Sequence, residues 1–418
     1  DSLPVAAADE KVFIGPAPSR QSYLDMGRLI QAAKSSGAEA VHPGYGYLAE
    51  NETFARSCEA EGLVFIGPSP ENLRLAGDKI AAKRIMKEAG VPVIPGSDRG
   101  VQTMEEALQI SREIGYPVLV KAAGGGGGRG IRICPEPESL REDFSVAREE
   151  ARAAFGVDEV YIEKYLVEPR HIEFQILADS RGKTVHLGER ECSIQRKYQK
   201  LIEESPSPRL TPELRETMAA LAVRAAQTVR YLNAGTVEFL LDETGRCYFM
   251  EINARIQVEH PVTEMTTGID LIREQIRLAA GEALSFSQKE VRPRGWAMEC
   301  RINAEDPERN FRPSPGVIEV YRPPGGFGLR LDTHIYQGYE LPIFYDSLIA
   351  KLIAWDWTRE GAIRIMKRAL QEFRIEPIKT TIPLHLRILD DPFFQQGEFN
   401  THFIQRFLPG NLEEEEDD

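Results

Sequence analysis

The segment 251–259 alternates polar and apolar residues without interruption. Successive side chains of a β-strand point to opposite faces of the sheet, so this alternation predicts a strand with one apolar and one polar face. The polar face would carry Glu251, Asn253, Arg255, Gln257 and Glu259. Most such strands simply turn a polar face to water, and the alternation alone therefore assigns no function.

A predicted hairpin precedes this strand and brings a second carboxylate beside it. The apolar runs 236–241 and 246–250 flank a turn sequence that contains Thr244-Gly245. If the turn centres on those two residues, Glu238 lies directly opposite Glu251, which is unfavourable for two like charges. A divalent cation bound by both carboxylates would make this arrangement favourable. Both carboxylates and the Asn253 oxygen suit Mg²⁺ or Mn²⁺, which prefer hard oxygen ligands.

Length and charge limit the classes of function. The chain has 418 residues, enough for two or three domains, and a formal net charge of −14. It shows no basic stripe, so we expect no nucleic-acid partner. It has no apolar run long enough to span a bilayer and no signal-peptide pattern, so we expect no membrane partner either. Its five cysteines are scattered, which is typical of free thiols in a reducing compartment, and we expect a cytoplasmic protein.

Short apolar strands alternate with amphipathic helices over residues 12–94, which favours an open, mostly parallel sheet. Strands are predicted at 12–16, 38–41 and 63–66. Helices are predicted at 19–35, 78–89, 137–155, 212–231, 262–280 and 359–373. Further strands are predicted at 116–123, 131–133, 159–166, 170–177 and 297–305. The acidic run at the end of the chain is expected to be solvated.

A glycine-rich loop, residues 124–130, is framed by two predicted strands. A Walker A loop requires Gly-Lys-Ser/Thr at the start of a helix, and this sequence does not match it. A strand–glycine loop–strand unit is instead similar to the flap that covers nucleotide phosphates in protein kinases. Without Cβ atoms, the backbone N–H groups can approach a phosphate. Lys121, directly before the loop, would be the cation that faces it.

Several motifs follow one another in a specific order: His42-Pro-Gly-Tyr-Gly-Tyr, the glycine run after Lys121, Glu163-Lys-Tyr-Leu, Arg170-His-Ile-Glu, the phrase from Glu251 to Glu264, and Cys300-Arg-Ile-Asn-Ala-Glu-Asp. Together they resemble the biotin carboxylase family of the ATP-grasp superfamily over nearly the whole chain. The resemblance implies a mixed α/β (α+β) ATP-grasp fold. It has an N-terminal open parallel-sheet domain with its linker (1–93), a lid with the glycine flap (94–166), a C-terminal antiparallel-sheet domain (167–411) and an acidic tail (412–418).

The resemblance also implies a set of site residues. For ATP they are Lys79, Lys121, Gly125, Gly126, Gly127, Gly128, Glu163, Lys164, Leu166, His171 and Gln195. For the metal they are Glu238, Glu251 and Asn253, the same residues that the hairpin argument selects. For bicarbonate and biotin they are Lys200, Arg255, Gln257, Val258, Glu259 and Arg301, with Tyr45 and Gly46 beside the ureido group of biotin.

The family's reaction makes the chain an ADP-forming ligase that carboxylates biotin with ATP and bicarbonate through carboxyphosphate. Glu259 would be the general base and Arg301 would stabilise the enolate-like biotin, with Lys200 and Arg255 holding bicarbonate. The implied partners are a second copy of the chain, a carboxyltransferase, and a separate biotin carrier, because no Met-Lys-Met sequence is present. The final acceptor stays open among acetyl-CoA, as in acetyl-CoA carboxylase of fatty acid biosynthesis, pyruvate and propionyl-CoA.

Two departures from the family pattern keep rival interpretations open. The family's opening strand, turn and helix are not in this sequence, and we expect processing or disorder as the cause; a molecule without that segment would have a shortened N-terminal sheet. Tyr198 stands where many relatives carry His. One rival is another ATP-grasp ligase of the carbamoyl-phosphate type. The other is a non-catalytic nucleotide-binding subunit. The phrase from Arg255 to His260 argues against the first, and Glu259, Arg301 and Lys200 argue against the second.

Overall fold

The computed structural model describes residues 2–122, 131–155 and 160–407. Most helices begin at a polar N-cap whose side chain accepts a backbone N–H, as Asp78 does for Ala81 and Thr211 for Leu214. The helices are α1 Leu3–Ala7, α2 Met26–Ser35, α3 Glu52–Ala60, α4 Pro70–Gly77, α5 Lys79–Glu88, α6 Met104–Ile114, α7 Pro137–Phe155, α8 Pro212–Thr228, α9 His260–Thr267, α10 Leu271–Ala279, α11 Arg359–Glu372, α12 Ile382–Asp390, α13 Pro392–Gln396 and α14 Phe403–Phe407.

The strands are short near the N-terminus and long in the second half of the chain. They are β1 Ala40–Val41, β2 Val64–Phe65, β3 Val118–Ala122, β4 Ile131–Cys134, β5 Val160–Lys164, β6 Arg170–Ala178, β7 Thr184–Arg196, β8 Gln199–Ser205, β9 Asn233–Leu241, β10 Cys247–Asn253, β11 Trp296–Asn303, β12 Glu305–Asp306, β13 Arg312–Pro313, β14 Gly316–Val317, β15 Val320–Arg322, β16 Leu329–Thr333, β17 Glu340–Leu341, β18 Leu348–Asp356 and β19 Arg374–Glu376.

An eight-stranded antiparallel sheet dominates the fold, in the order β10-β9-β6-β7-β8-β11-β18-β16. Strands β4, β3 and β5 form a separate antiparallel sheet, whose apolar side is covered by α6 and α7. The predicted large antiparallel sheet is therefore confirmed. The predicted N-terminal parallel sheet is small in the described residues, where β1 pairs with β2.

Strand β6 shows how this sheet positions a site. All of its residues are buried. Ile172, Phe174 and Ile176 pack into an apolar core with helix α8. His171, Glu173 and Gln175 alternate with them and point to the other face, which is polar and also buried. Buried polar groups must find partners, so this face is held together by ion pairs and hydrogen bonds.

The predicted opposition of Glu238 and Glu251 is confirmed by the register of β9 and β10. The connection between the two strands is one residue shorter than predicted, since Leu241 pairs with Cys247 and not with Tyr248. A β-bulge between Phe249 and Glu251 adds one residue to β10 and brings Glu251 opposite Glu238.

The predicted strand over 251–259 is wrong beyond Asn253, where β10 ends. The chain then turns, and Glu259 stands at the N-cap of α9, with Pro261 in the first turn of that helix. Proline is favoured there because its missing N–H would lack a helical partner in any case. Ala254 and Ile256 are buried, but Gln257 and Glu259 are buried as well, so burial does not follow the alternation.

Three smaller predictions also need correction. Residues 12–14 form no strand, and Phe13 is 88% exposed, because none of the described strands pairs with this segment. The predicted helix at 19–35 begins only at Met26, after the N-cap Asp25. The predicted helix at 262–280 is divided into α9 and α10 by Gly268, whose φ of 72° ends the first helix.

All five cysteines are unpaired and buried, as the sequence predicts. None of the described helices combines the length and the apolar character that a membrane crossing requires. The domain boundaries at 93/94 and 166/167 stay predictions.

Candidate active site

A cavity of about 1330 Å³ lies between the three-stranded sheet with helix α5 and the polar face of the eight-stranded sheet. Most of the residues predicted for the site line this one cavity. They are Lys79, Lys121, Glu163, Lys164, Leu166, His171, Gln195, Lys200, Glu238, Glu251, Asn253, Arg255, Gln257, Val258, Glu259 and Arg301. Residues far apart in the sequence therefore meet in one place.

Two of the predicted residues are not brought into the cavity wall. Tyr45 and Gly46 lie on the loop after β1 and are not among the described lining residues. Tyr45 is 40% exposed, and the Lys351 ammonium lies 5.7 Å from the centroid of its ring. The flap glycines, Gly125 to Gly128, lie outside the described residues.

Glu238, Glu251 and Asn253 offer oxygen atoms on neighbouring strands. Lys79 Nζ is 2.7 Å from Glu251 Oε2, and His171 Nε2 is 3.1 Å from Glu238 Oε2. Basic side chains thus balance the opposed carboxylates. Two carboxylates and one amide oxygen form the hard donor set that Mg²⁺ prefers, so these residues fit that ion.

A second group of possible ligands is less suited to a metal. The donor atoms of His171, Glu173 and Glu238 lie within 4.8 Å of one another. The Lys200 ammonium donates to Glu173 at 2.6 Å and to Glu238 at 3.2 Å. A cation therefore already neutralises these two carboxylates.

Lys200 is the charge centre of the polar face. Its ammonium also donates to Glu259, so it holds three carboxylates at once. Burial opposes its charge, yet Glu173, Glu238 and Glu259 keep the pKa of Lys200 well above its ordinary value. Lys200 is therefore a permanent cation at neutral pH.

Glu259 lies between two cations and is almost fully buried. Lys200 donates to one of its oxygens, and Arg301 Nη2 donates to the other at 2.9 Å. Burial works against ionisation, but Lys200, Arg301 and Arg190 hold the pKa of Glu259 well below its usual range. At neutral pH this carboxylate is ionised and can accept a proton.

Arg190 is the largest fully buried side chain among the described residues and was not predicted from the sequence. Its Nε donates to Glu173 at 2.6 Å, and its Nη2 donates to Gln257 Oε1 at 2.8 Å. Gln257 in turn donates to Glu238 at 2.7 Å. Further acceptors of the same guanidinium are Gln175, Thr236 and Thr263. Arg190 therefore ties the turn after β10 to the sheet. The charge-dense stretch 188–200 was the only sequence signal for it.

A row of lysines on α5 faces the cavity. Lys79, Lys83 and Lys87 follow at helical spacing of four residues, and all three line the cavity. Lys83 and Lys121 each contact one oxygen of Glu163. Lys83 was missed from the sequence, although its spacing from Lys79 would have identified it.

The remaining predicted residues have defined partners. Lys164 Nζ donates to the carbonyl oxygens of Gly115 and Tyr116 at 3.0 and 2.7 Å. Arg255 Nε donates to Glu50 at 2.9 Å, and its Nη2 donates to Asn253 Oδ1 at 3.2 Å. Lys351 Nζ donates to the Val258 carbonyl at 3.1 Å.

Three sequence models of protein families match almost the whole chain. "Biotin carboxylase, N-terminal domain" matches residues 1–73. "Carbamoyl-phosphate synthase L chain, ATP binding domain" matches residues 78–287. "Biotin carboxylase C-terminal domain" matches residues 299–406.

Individual relatives also match almost the whole chain. Biotin carboxylase 1 of Bacillus subtilis (strain 168) is 54% identical over 408 residues, which is 97% of this chain and 91% of the relative. The 2-oxoglutarate carboxylase small subunit of Hydrogenobacter thermophilus is 53% identical over 401 residues, covering 96% of this chain and 85% of that protein.

Two solved structures have the same fold. The biotin carboxylase domain dimer of Hydrogenobacter thermophilus 2-oxoglutarate carboxylase, in complex with MgADP, ADP and bicarbonate, superposes with a TM-score of 0.90. It is 51% identical, and the match covers 97% of this chain and 89% of that one. A Campylobacter jejuni biotin carboxylase–ATP complex gives a TM-score of 0.92 at 46% identity, covering 97% and 91% of the two chains.

Proposed function

The chain belongs to the biotin carboxylase family, and we propose that its cavity carries out the ATP- and bicarbonate-dependent carboxylation of biotin with the residues described above. The observation that carries this proposal is the position of the buried Glu259 between Lys200 and Arg301, beside the opposed carboxylates of Glu238 and Glu251. Such an arrangement combines an anion-binding cation, an ionised base and a site for a divalent ion. As a member of this family the protein is an ATP-dependent ligase.

The nucleotide would lie between the two sheets. Lys79, Lys121 and His171 would face its phosphates, and the flap glycines Gly125 to Gly128 would cover them. Glu163, Lys164, Leu166 and Gln195 would flank the adenine. Phosphoryl transfer depends mainly on positioning and charge neutralisation, and basic groups on both walls of the cavity supply both. We propose residues 94–166 as the lid and 167–411 as the catalytic domain.

Glu238, Glu251 and Asn253 would hold Mg²⁺, or Mn²⁺ in its place. When bound, such an ion neutralises charge on the nucleotide phosphates. The chain's own contribution is to keep the two carboxylates opposed across β9 and β10. Lys79 and Lys200, which now neutralise them, would then be available to the substrate anions.

Bicarbonate would bind against Lys200, Arg255, Gln257 and the backbone at Val258. Arginine can hold a planar carboxylate-like anion with two parallel hydrogen bonds. Glu259 would take the proton of bicarbonate, which then attacks the terminal phosphate of ATP and gives carboxyphosphate. An anion that accepts a hydrogen bond from Lys200 would weaken the interaction between Lys200 and Glu259. The pKa of Glu259 would rise, and it would become a stronger base.

Carboxyphosphate would break down to CO₂ and phosphate, and the phosphate would take the proton of the biotin nitrogen, which then attacks CO₂. Arg301 would stabilise the ureido oxygen of the deprotonated biotin. Tyr45 and Gly46 would contact the same group if the loop after β1 approaches the cavity. The biotin would be attached to a separate carrier protein or domain, and a carboxyltransferase would use the product. We also propose that the chain forms a homodimer, as in the dimeric relative.

The deciding experiment measures ADP release from MgATP, with and without bicarbonate and with and without free biotin. We expect release that requires bicarbonate and rises when biotin is added. ADP release that requires bicarbonate but does not change when biotin is added would favour a carbamoyl-phosphate-type ligase. ATP binding without any release would favour a non-catalytic nucleotide-binding subunit.

A further inference from the structure

A pair of buried glutamates lies behind Arg301, and no step of the proposed reaction uses them directly. Glu203 in β8 and Glu299 in β11 are both fully buried. They are direct partners in the antiparallel register of these strands. Side chains at such positions leave the sheet on the same face, with Cβ atoms about 5 Å apart. Two carboxyl groups therefore face each other away from water.

Three oxygen atoms of this pair have no hydrogen-bond partner within the described part of the chain. They are Oε2 of Glu203 and both oxygens of Glu299. Buried polar atoms almost always have partners, and a buried unpaired charge is very unfavourable. Two ionised carboxylates at paired positions cannot satisfy each other, because both only accept. A single proton between them turns one into a donor and satisfies the other.

The two cations nearest to Glu299 on the sheet donate to acceptors other than Glu299. Lys351, on the adjacent strand β18, donates to the Val258 carbonyl and lies 3.4 Å from Asp332. Arg301 donates through Nε to Oε1 of Glu203 at 2.6 Å and through Nη2 to Glu259. Neither of these two cations donates to Glu299 in the part of the chain that the structure describes. Burial raises the pKa of Glu299 well above its usual value, against the opposing charge of Lys351, and raises that of Glu203 to about 7, against the opposing charge of Arg301.

We propose that Glu203 and Glu299 share one proton and act together as a positioning pair for Arg301. The neutral carboxyl of Glu299 donates to Oε2 of Glu203. Glu203 is thereby fixed, and its other oxygen holds the Arg301 Nε. The guanidinium then presents its remaining N–H groups to Glu259 and to the cavity. This inference rests on the proposed function, because the orientation of Arg301 affects the reaction only if Arg301 stabilises the ureido oxygen of biotin.

The proton itself can be tested without any turnover. Infrared difference spectra of the parent protein and Glu299→Gln, recorded in D₂O at about pH 8, should show the loss of one C=O stretch from a neutral carboxyl group. At that pH an ordinary glutamate is ionised. If the difference spectrum shows only the loss of an ionised carboxylate, the shared proton is excluded.

Glu204→Gln is the matched control. Glu204 neighbours Glu203 on β8 and is also buried, but Trp296 and Arg359 donate to its two oxygens. Its replacement should remove an ionised carboxylate band and leave the neutral band in place. A neutral band that disappears in this variant as well would overturn the assignment to Glu299.

The positioning role is tested by kinetics. Glu299→Ala should lower biotin-stimulated ADP release about tenfold or more, as misplacement of a catalytic group does. Release that depends on bicarbonate alone should fall less, because Arg301 is assigned to the biotin step. Glu299→Gln, whose amide can donate to Glu203, should recover most of the loss. Equal loss of both rates, or no recovery with Gln, would overturn the role. If no variant or parent turns over, the proposed function fails, and the infrared result still decides the shared proton.

Discussion

At the scale of single residues, the site is an arrangement of charges that are paired before any substrate arrives. Lys200 contacts three carboxylates, and Glu259 contacts two cations. Glu259 is buried and the Lys200 side chain is only 11% exposed, so these interactions are strong and poorly screened by salt. Replacing one member therefore changes the ionisation and the orientation of the others.

Glu259→Gln should abolish bicarbonate-dependent ADP release and leave ATP binding nearly unchanged. The amide keeps the shape of the side chain but cannot accept the proton of bicarbonate. The loss should be about a hundredfold or more, as for other general bases. Steady-state ADP release and equilibrium ATP binding measure the two effects separately. Turnover at the parental rate would exclude Glu259 as the base.

Arg190→Met should lower the free energy of unfolding by about 3–5 kcal/mol, because it removes one of the two cations that bind the buried Glu173 and the donor to several other buried oxygens. Urea unfolding followed by fluorescence measures this change. The control is Arg56→Met, since Arg56 pairs with Glu52 on the surface with its side chain 55% exposed. It should change stability by less than about 1 kcal/mol. Similar effects of the two substitutions would contradict the structural role of Arg190.

Sequence reasoning found the residues whose chemistry is visible in a short motif, such as Glu251, Asn253 and Glu259. It missed Arg190, Glu203 and Glu299, because their importance depends on which strands become neighbours. The order of β7, β8 and β11 in the sheet brings them together. No local spacing in the sequence encodes that order.

At the scale of elements, the hairpin β9–β10 positions two of the proposed metal ligands, Glu238 and Glu251, opposite each other, and its bulge was not predictable. A bulge adds a residue where the local twist of the sheet requires it, and the composition of the hairpin does not reveal the position. The turn at 254–259 could not be predicted from the sequence either. It depends on contacts between Gln257 and Arg190, which are 67 residues apart.

Gly235 in β9 should not tolerate a side chain. A Cβ atom there would lie 2.2 Å from the Tyr231 hydroxyl, which donates to the Ala234 carbonyl. Gly235→Ala should therefore destabilise the protein by about 1–3 kcal/mol through overpacking. Gly325→Ala is the control, because nothing in the described part of the chain lies within 4 Å of its Cβ position. Thermal unfolding of both variants tests this, and equal melting temperatures would contradict it.

At the scale of the whole molecule, acid should destabilise the fold through histidines that are buried in the neutral form. His385 in α12 is fully buried and lies 2.7 Å from the carbonyl of Arg301. Burial lowers the pKa of His385 to about 4. Its pKa in the folded state is thus below that of the unfolded chain. Its stabilising effect is present above about pH 6.5 and is lost as the pH falls towards about 4.

His385→Gln should therefore lose less stability than the parent on acidification. Between about pH 6.5 and about pH 5 the difference should be on the order of 2 kcal/mol, since each pKa unit corresponds to about 1.4 kcal/mol. Urea unfolding at both pH values measures it. Parallel losses in the two proteins would show that His385 does not contribute.

The contacts of Lys200 also make two binding events interdependent. Its ammonium is shared between Glu238, assigned to the metal, and Glu259, assigned to bicarbonate. A metal ion that engages Glu238 leaves Lys200 more fully available to the anion. By thermodynamic reciprocity, bicarbonate must then raise the affinity for the metal–nucleotide complex by the same factor. We therefore expect the two substrates to bind cooperatively through one ammonium group.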